Sequence, residues 1–483
     1  MKNVFRKISI VLLAIVCGIP SMWAQDVNMS RYITMNVKSR KQIYLKLCAD
    51  VPDTKIKLVS GFNEKTITVN DTWTEWQDFK TDGDVMTIYG DVQKLDCSNN
   101  MQNITGMETK NNAQLQELHC YANSIASLDL SQNTQLKVLG CFNNSLNSLD
   151  VSKNLQLMEL DCSENKISVL DVSNNSQLSK LFCLKNSIAS LDIDNDTQLK
   201  VLDCSENKIE SLDVSKNVLL EKLNCYKNLL NALDVTKNVE LAGINCSGNN
   251  IKVIDVSKNT KLEWLYSFDN PLGTLDVSKN TILKNLRCYN NNLTSLDVSN
   301  NLELEWLYCN GNSLESIDVS QNTELKDFVC HDNKFTTEAL DDIFCSLPER
   351  NGHASGRIAI VSKSSSDDNS VALAANGNNA ISKNWRVVYY FNNTEITGFT
   401  GTKQCTNGIY QTENTSDVTI YPNPVKDVLH ITSDKPINII RIFNVSGAEL
   451  LRTANTNSVN VSHLPAGIYM VYVNDKPTKI IKE

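Results

Sequence analysis

The chain has 483 residues, a formal net charge of −9, 41% hydrophobic and 7% aromatic residues. That length is too great for one compact core, so the chain divides into domains or repeats a unit along an axis. Its acidic balance and the absence of any Lys/Arg run exclude the basic stripe that nucleic-acid phosphates require.

Lys2, Arg6 and Lys7 precede an apolar run from Ile8 to Val16, followed by Pro20 and the small residue Ala24. This pattern predicts a secretory signal peptide over residues 1–24, too short for a permanent membrane anchor. Cleavage is expected after Ala24, leaving Gln25 first. A lipidated Cys17 is the alternative, disfavoured by Val16 before it. No other stretch predicts a transmembrane segment. Residues 25–94 alternate apolar and polar positions in Ile56–Leu58, Thr66–Val69 and Met86–Tyr89. They predict a β-rich N-terminal cap, which a solenoid needs to cover its exposed end.

Residues 95–337 write one unit about eleven times. Cys120, Cys141, Cys162, Cys183, Cys204, Cys225, Cys246, Ser267, Cys288, Cys309 and Cys330 follow at steps of 21 residues. An asparagine stands three residues after each, from Asn123 through Asn228 to Asn333. In one unit Leu139, Cys141, Leu146, Leu149 and Val151 are expected to point inward. The asparagine column suits side chains that satisfy backbone groups at stacked turns. A second motif, L-D-V-S-x-N, recurs from Leu128 to Asn322, with Asp194 and Asp196 as departures. Its aspartates predict turn chemistry, because no glycine-bearing acidic loop for calcium accompanies them. Parallel coils about 4.8 Å apart hold in-register Cβ atoms further apart than the roughly 3.8 Å of a disulfide. The cysteines are therefore expected to be buried free thiols, and a straight column does not converge on a metal. The pairing of Cys48, Cys345 and Cys405 stays open.

Residues 338–405 predict an atypical terminal repeat and cap, with a helix over 336–348 and strands at 356–361 and 385–390. Residues 406–416 are a polar linker where processing is expected. Residues 417–483 alternate as a small antiparallel β-sandwich. An ordinary immunoglobulin-like module is the bland alternative.

Three columns flank the cysteine on the outward side. Trp264, Tyr266, Phe268, Arg287, Tyr289, Trp306 and Tyr308 fall within three consecutive coils, making a patch roughly 10 Å tall. Exposed aromatics around an arginine have the composition of a binding hot spot, and these seven are the candidate partner-binding residues. Mutual support across the sheet is the competing explanation. The N-terminal half of the face reads as polar, with Glu117, Glu159, Asp161, Glu164, Asp203 and Glu206 among Lys180, Lys185, Lys222 and Lys227. Asp161 and Asp203, about 9.6 Å apart by coil spacing, are near the wide end of an inverting glycosidase pair. No pocket is expected to raise either pKa, so no catalytic residue is assigned.

The unit resembles the leucine-rich repeat, L-x-x-L-x-L-x-x-N-x-L with cysteine in the third leucine slot. That resemblance implies a mainly β, right-handed, curved solenoid with the strands on its concave face. Over residues 95–337 the chain is similar to the internalins, most closely the internalin J kind with 21-residue repeats and a stacked cysteine column. No L-P-x-T-G wall anchor is present. Tyr421-Pro422-Asn423-Pro424, Gly447, Gly467-Ile468-Tyr469 and Lys479 to Lys482 resemble the C-terminal sorting domain of type IX secretion cargo in Bacteroidota. Together the resemblances imply a non-enzymatic surface adhesin, exported and attached to lipopolysaccharide or secreted, acting in host attachment or biofilm formation. Its expected partners are a host-cell or bacterial surface protein and the type IX machinery. A glycan bound by the same aromatics is the alternative. No cofactor or metal is expected.

Overall fold

The structure, a computed structural model, describes residues 26–362, 369–405, 418–433, 436–444, 449–474 and 476–483. The signal peptide with Cys17, the linker over 406–416 and Gly447 lie outside these. Two compact units are present, one through Gln404 and one from Cys405.

The first unit is a solenoid whose coils each contribute a three-residue strand, such as Val138–Gly140, Glu159–Asp161 and Lys180–Phe182. Neighbouring strands pair in parallel with a fixed step of 21 residues, Leu139 opposite Leu160 and Leu160 opposite Leu181. The register is set by burial: Leu139, Cys141, Leu146, Leu149 and Val151 all sit in one continuous core. A one-residue slip would turn that set outward. After each cysteine the chain turns sharply through a left-handed residue. The φ values run from 50° at Lys227 to 64° at Gly248.

Asparagine closes each turn. Asn144 donates its amide to the carbonyls of Cys120, one coil back, and Cys141, both at 3.0 Å, while its Oδ1 accepts from Ile125 N at 2.9 Å. The same three bonds recur at Asn165, Asn186, Asn207, Asn228 and Asn249. One side chain thus satisfies turn groups of two coils, which stitches each coil to the last. The aspartates of L-D-V-S-x-N cap their own turns: Asp150 Oδ1 accepts from Ser152 N at 2.9 Å. These bonds hold the Asp150 carboxyl below its usual range.

Twelve cysteines from Cys48 to Cys330 are buried free thiols, as the Cβ spacing requires. Cys345 and Cys405 are disulfide-bonded. At the N-terminal end, Gln42–Ala49 pairs antiparallel with Val92–Asp96 and with Gln77–Lys80. These strands join the solenoid sheet, which has sixteen strands among the described residues. A separate six-stranded sheet covers the same end. At the other end, Asp327–Val329 pairs in parallel with Gly356–Val361, and that with Trp385–Tyr389. The intervening helix Thr337–Ser346 is capped by Thr336, whose hydroxyl accepts from Ala339 N at 3.3 Å.

The second unit has three- and four-stranded antiparallel sheets around Leu429, Ile431, Ile440, Ile442, Val471 and Val473. Asn423 of the Tyr-Pro-Asn-Pro run accepts from Ile481 N at 2.8 Å and donates to Lys479 O at 3.0 Å. The Tyr-Pro-Asn-Pro run therefore meets the terminal strand.

Candidate functional site

The concave face is built from the strand residues that the alternation leaves outside. Parallel register places Trp264, Asn285, Trp306 and Asp327 in one row, and Tyr266, Arg287 and Tyr308 in the next. All seven aromatic and arginine positions expected from the sequence come together here, each half-buried.

The Arg287 guanidinium lies 4.7 Å from the Tyr266 ring centre and 5.0 Å from that of Tyr308. It is sandwiched between tyrosines of the coils before and after. Phe268 and Tyr289 stack at 4.3 Å with 11° between planes. Trp264 meets Tyr266 at 5.2 Å, and the Lys326 ammonium lies 5.5 Å from the Trp306 ring. Tyr308 donates its hydroxyl to Asp327 Oδ2 at 2.6 Å, and Arg357 donates to Asp327 Oδ1 at 2.7 Å. Burial pushes both the Tyr289 and Tyr308 phenols up to about 12. Both are therefore neutral donors at any physiological pH.

The patch is larger than three coils. Tyr226 approaches Phe268 at 6.0 Å across one intervening coil, whose residue in the same column, Ser247, is fully buried. Beyond the repeats, Arg357 lies 5.6 Å from the Tyr390 ring, and His331 packs on Tyr390 at 4.8 Å. Arg357 and Tyr390 stand outside the 21-residue period, so no column could place them. Gly243 was also missed. A Cβ there would fall 1.8 Å from Trp264 Cε2, so the absence of a side chain seats the indole.

The reading of the N-terminal half as polar needs correction. Tyr121 and Phe142 stack at 4.3 Å, His119 meets Tyr121 at 6.2 Å, and Trp73 meets His119 at 6.3 Å. Trp73 comes from the cap, whose strands extend this face. Trp76 is 45% exposed with Lys46 over its ring at 5.1 Å. Polar residues occupy the middle instead, as ladders such as Lys180–Glu159 and Lys185–Glu164 at 2.8 and 2.9 Å.

Asp161 and Asp203 do not face each other across open space, because Phe182 stands between them in register. Asp203 accepts from Asn224 Nδ2 at 2.9 Å on one oxygen and from Ser205 N at 3.0 Å on the other. Burial raises the Asp161 carboxyl. Asp203 is occupied as a structural acceptor, which leaves no acid–base pair in this row. Among the described residues no group of three or more His, Cys, Asp or Glu side chains is placed to hold a metal, and no helix is long and apolar enough to cross a membrane.

Residues 419–483 match the family described as the secretion system C-terminal sorting domain. The chain carries a sorting domain. A search of curated proteins finds none that matches. Among solved structures, the internalin InlF of Listeria monocytogenes superposes with a TM-score of 0.50 at 20% identity. That match covers 53% of this chain and 78% of the other, and it shows a leucine-rich-repeat fold. The functional domain of InlJ from Listeria monocytogenes, which includes a cysteine ladder, aligns over 83% of this chain and 93% of its own at 26% identity, with a TM-score of 0.42. YopM, a leucine-rich effector from Yersinia pestis, aligns over 56% and 77% at 20% identity and a TM-score of 0.43. The sorting domain marks the chain for export, and the repeats form a leucine-rich-repeat solenoid.

Proposed function

We propose that this chain is a non-enzymatic surface adhesin that binds a protein partner through the C-terminal part of its concave face. One observation carries the reading: Arg287 is held between Tyr266 and Tyr308, with Trp264 packed on Tyr266 and the Phe268–Tyr289 stack and Trp306 on the same three coils. Aromatic and arginine anchors, packed but still partly exposed, are the residues that dominate binding energy at protein interfaces. Attachment to lipopolysaccharide after sorting-domain removal would place the face outward, in host attachment or biofilm formation. The type IX machinery is the partner of the sorting domain in this reading.

The test is attachment of protein-coated beads to host epithelial cells and to sibling bacteria, alongside a glycan array. Adhesion without a sugar-specific signal is the expected result. A sugar-specific signal would replace the protein partner with a glycan, and failure to adhere to either cell type would overturn the adhesin reading.

A further inference from the structure

Arg287, at the centre of the aromatic patch, has no anion beside it among the described residues. Its neighbours are paired: Lys284 with Glu263 at 3.3 Å, Lys326 with Glu305 at 2.6 Å, and Arg357 with Asp327 at 2.7 Å. Asp327, the carboxylate facing the same row, has both oxygens occupied by Tyr308 and Arg357. Arg287 makes no ion pair and donates no side-chain hydrogen bond among the described residues, and its Nε–H is buried without an acceptor. Two residues earlier on the same strand, Asn285 Oδ1 is likewise buried without a donor. Asn285 stands in register between Trp264 and Trp306.

Buried polar groups without partners are uncommon, because each forfeits its hydration. Here a donor and an acceptor are left without partners two residues apart on one strand, in an aromatic frame. Stacking fixes the guanidinium plane, which removes the entropy a free arginine would lose on meeting a carboxylate and leaves its N–H edge for a two-pronged bond.

We propose that Asn285 and Arg287 form the polar centre of this patch and take an acidic residue of a protein partner. The carboxylate meets the two Nη groups of Arg287, and a turn of the Asn285 amide brings its Oδ1, buried in the free protein, to an adjacent main-chain N–H. The inference rests on the protein-binding reading of the same face. It adds a sequence requirement to it: an Asp or Glu flanked by apolar residues that lie on the rings.

The experiment pans a random-peptide display library on the immobilised protein and on three variants, with circular dichroism confirming the fold of each. The wild type should enrich peptides carrying Asp or Glu beside apolar residues. Arg287→Gln should keep the apolar preference and lose the acidic one. Arg287→Lys keeps the charge without the planar fork, and should weaken a selected peptide about ten-fold. The Glu→Gln or Asp→Asn form of that peptide should lose binding to the wild type by about ten-fold or more. Enrichment without acidic bias, or an acidic bias unchanged in Arg287→Gln, would overturn this inference while leaving the protein-binding reading intact. Absence of enrichment, or enrichment that Trp264→Ala/Trp306→Ala leaves unchanged, would overturn both.

Discussion

Asn217 donates its side-chain amide to the main-chain carbonyl of Asp196, one coil back, at 3.0 Å. It continues a fully buried ladder in which Asn154, Asn175, Asn238 and Asn259 do the same. Asp196 occupies one rung of that ladder, yet a carboxylate has no N–H to pass to Asn175. Both of its oxygens are buried without partners. Burial, with Asp192 adding to it, raises the Asp196 carboxyl to about 7.

Stability should therefore fall as pH rises between about 4 and 7, because the unfolded chain releases this proton first while the folded chain retains it. Asp196→Asn should remove that slope and add on the order of 2 kcal/mol above pH 7, after allowing for partial solvent screening. Urea midpoints at pH 5 and pH 8 measure it. An unchanged slope in the variant would assign the pH dependence elsewhere.

Asn228→Ala removes two donated bonds, to Cys204 O at 3.0 Å and Cys225 O at 3.1 Å, and strands Ile209 N. A loss of about 2–4 kcal/mol is expected, since the groups left behind stay buried. Because coils contact only their neighbours, thermal unfolding should broaden or split.

The ladder thiols should not react with Ellman's reagent in the folded protein, since burial raises every one of them and hides it from solvent. Reaction should track unfolding. Ser267 interrupts the column, and its hydroxyl is buried without a partner. Ser267→Cys should stabilise the protein by about 1 kcal/mol and add one thiol to the count in denaturant.

Gly243→Ala should displace the Trp264 indole, which occupies the space of the missing Cβ. A shift in tryptophan fluorescence and a several-fold weaker attachment are expected, with the melting temperature nearly unchanged. Normal attachment would remove Trp264 from the contact surface.

Deleting residues 417–483 should trap the protein in the periplasm, which cell fractionation and immunoblotting report. Secretion without them would show that export does not use the sorting domain.

The sequence made the repeat legible because every coil presents the same positions to the same surroundings. A column of cysteines or asparagines therefore states burial and bonding at once. The turn asparagines and the turn-capping aspartates follow that logic, and so does the gathering of Trp264, Arg287 and Tyr308. The second asparagine ladder was visible as a motif, but its bonds to the preceding coil depend on how deeply the turn sits. What escaped were relationships across a column. The lean of Trp264 onto Gly243 and the approach of Tyr226 to Phe268 across one coil are set by rotamers, not by period. The aperiodic ends also escaped, because pairing of Gln42–Ala49 and Trp385–Tyr389 into the solenoid sheet brings Trp73 and Tyr390 to the face without any spacing rule.

The most direct test of the account compares bead attachment of the wild type and of Trp264→Ala/Trp306→Ala, with matched unfolding curves. Concave-face adhesion predicts that attachment falls about ten-fold or more while the unfolding midpoint moves little, because both indoles are partly exposed. Attachment equal to the wild type, with the fold intact, would contradict it and place the binding surface elsewhere on the chain.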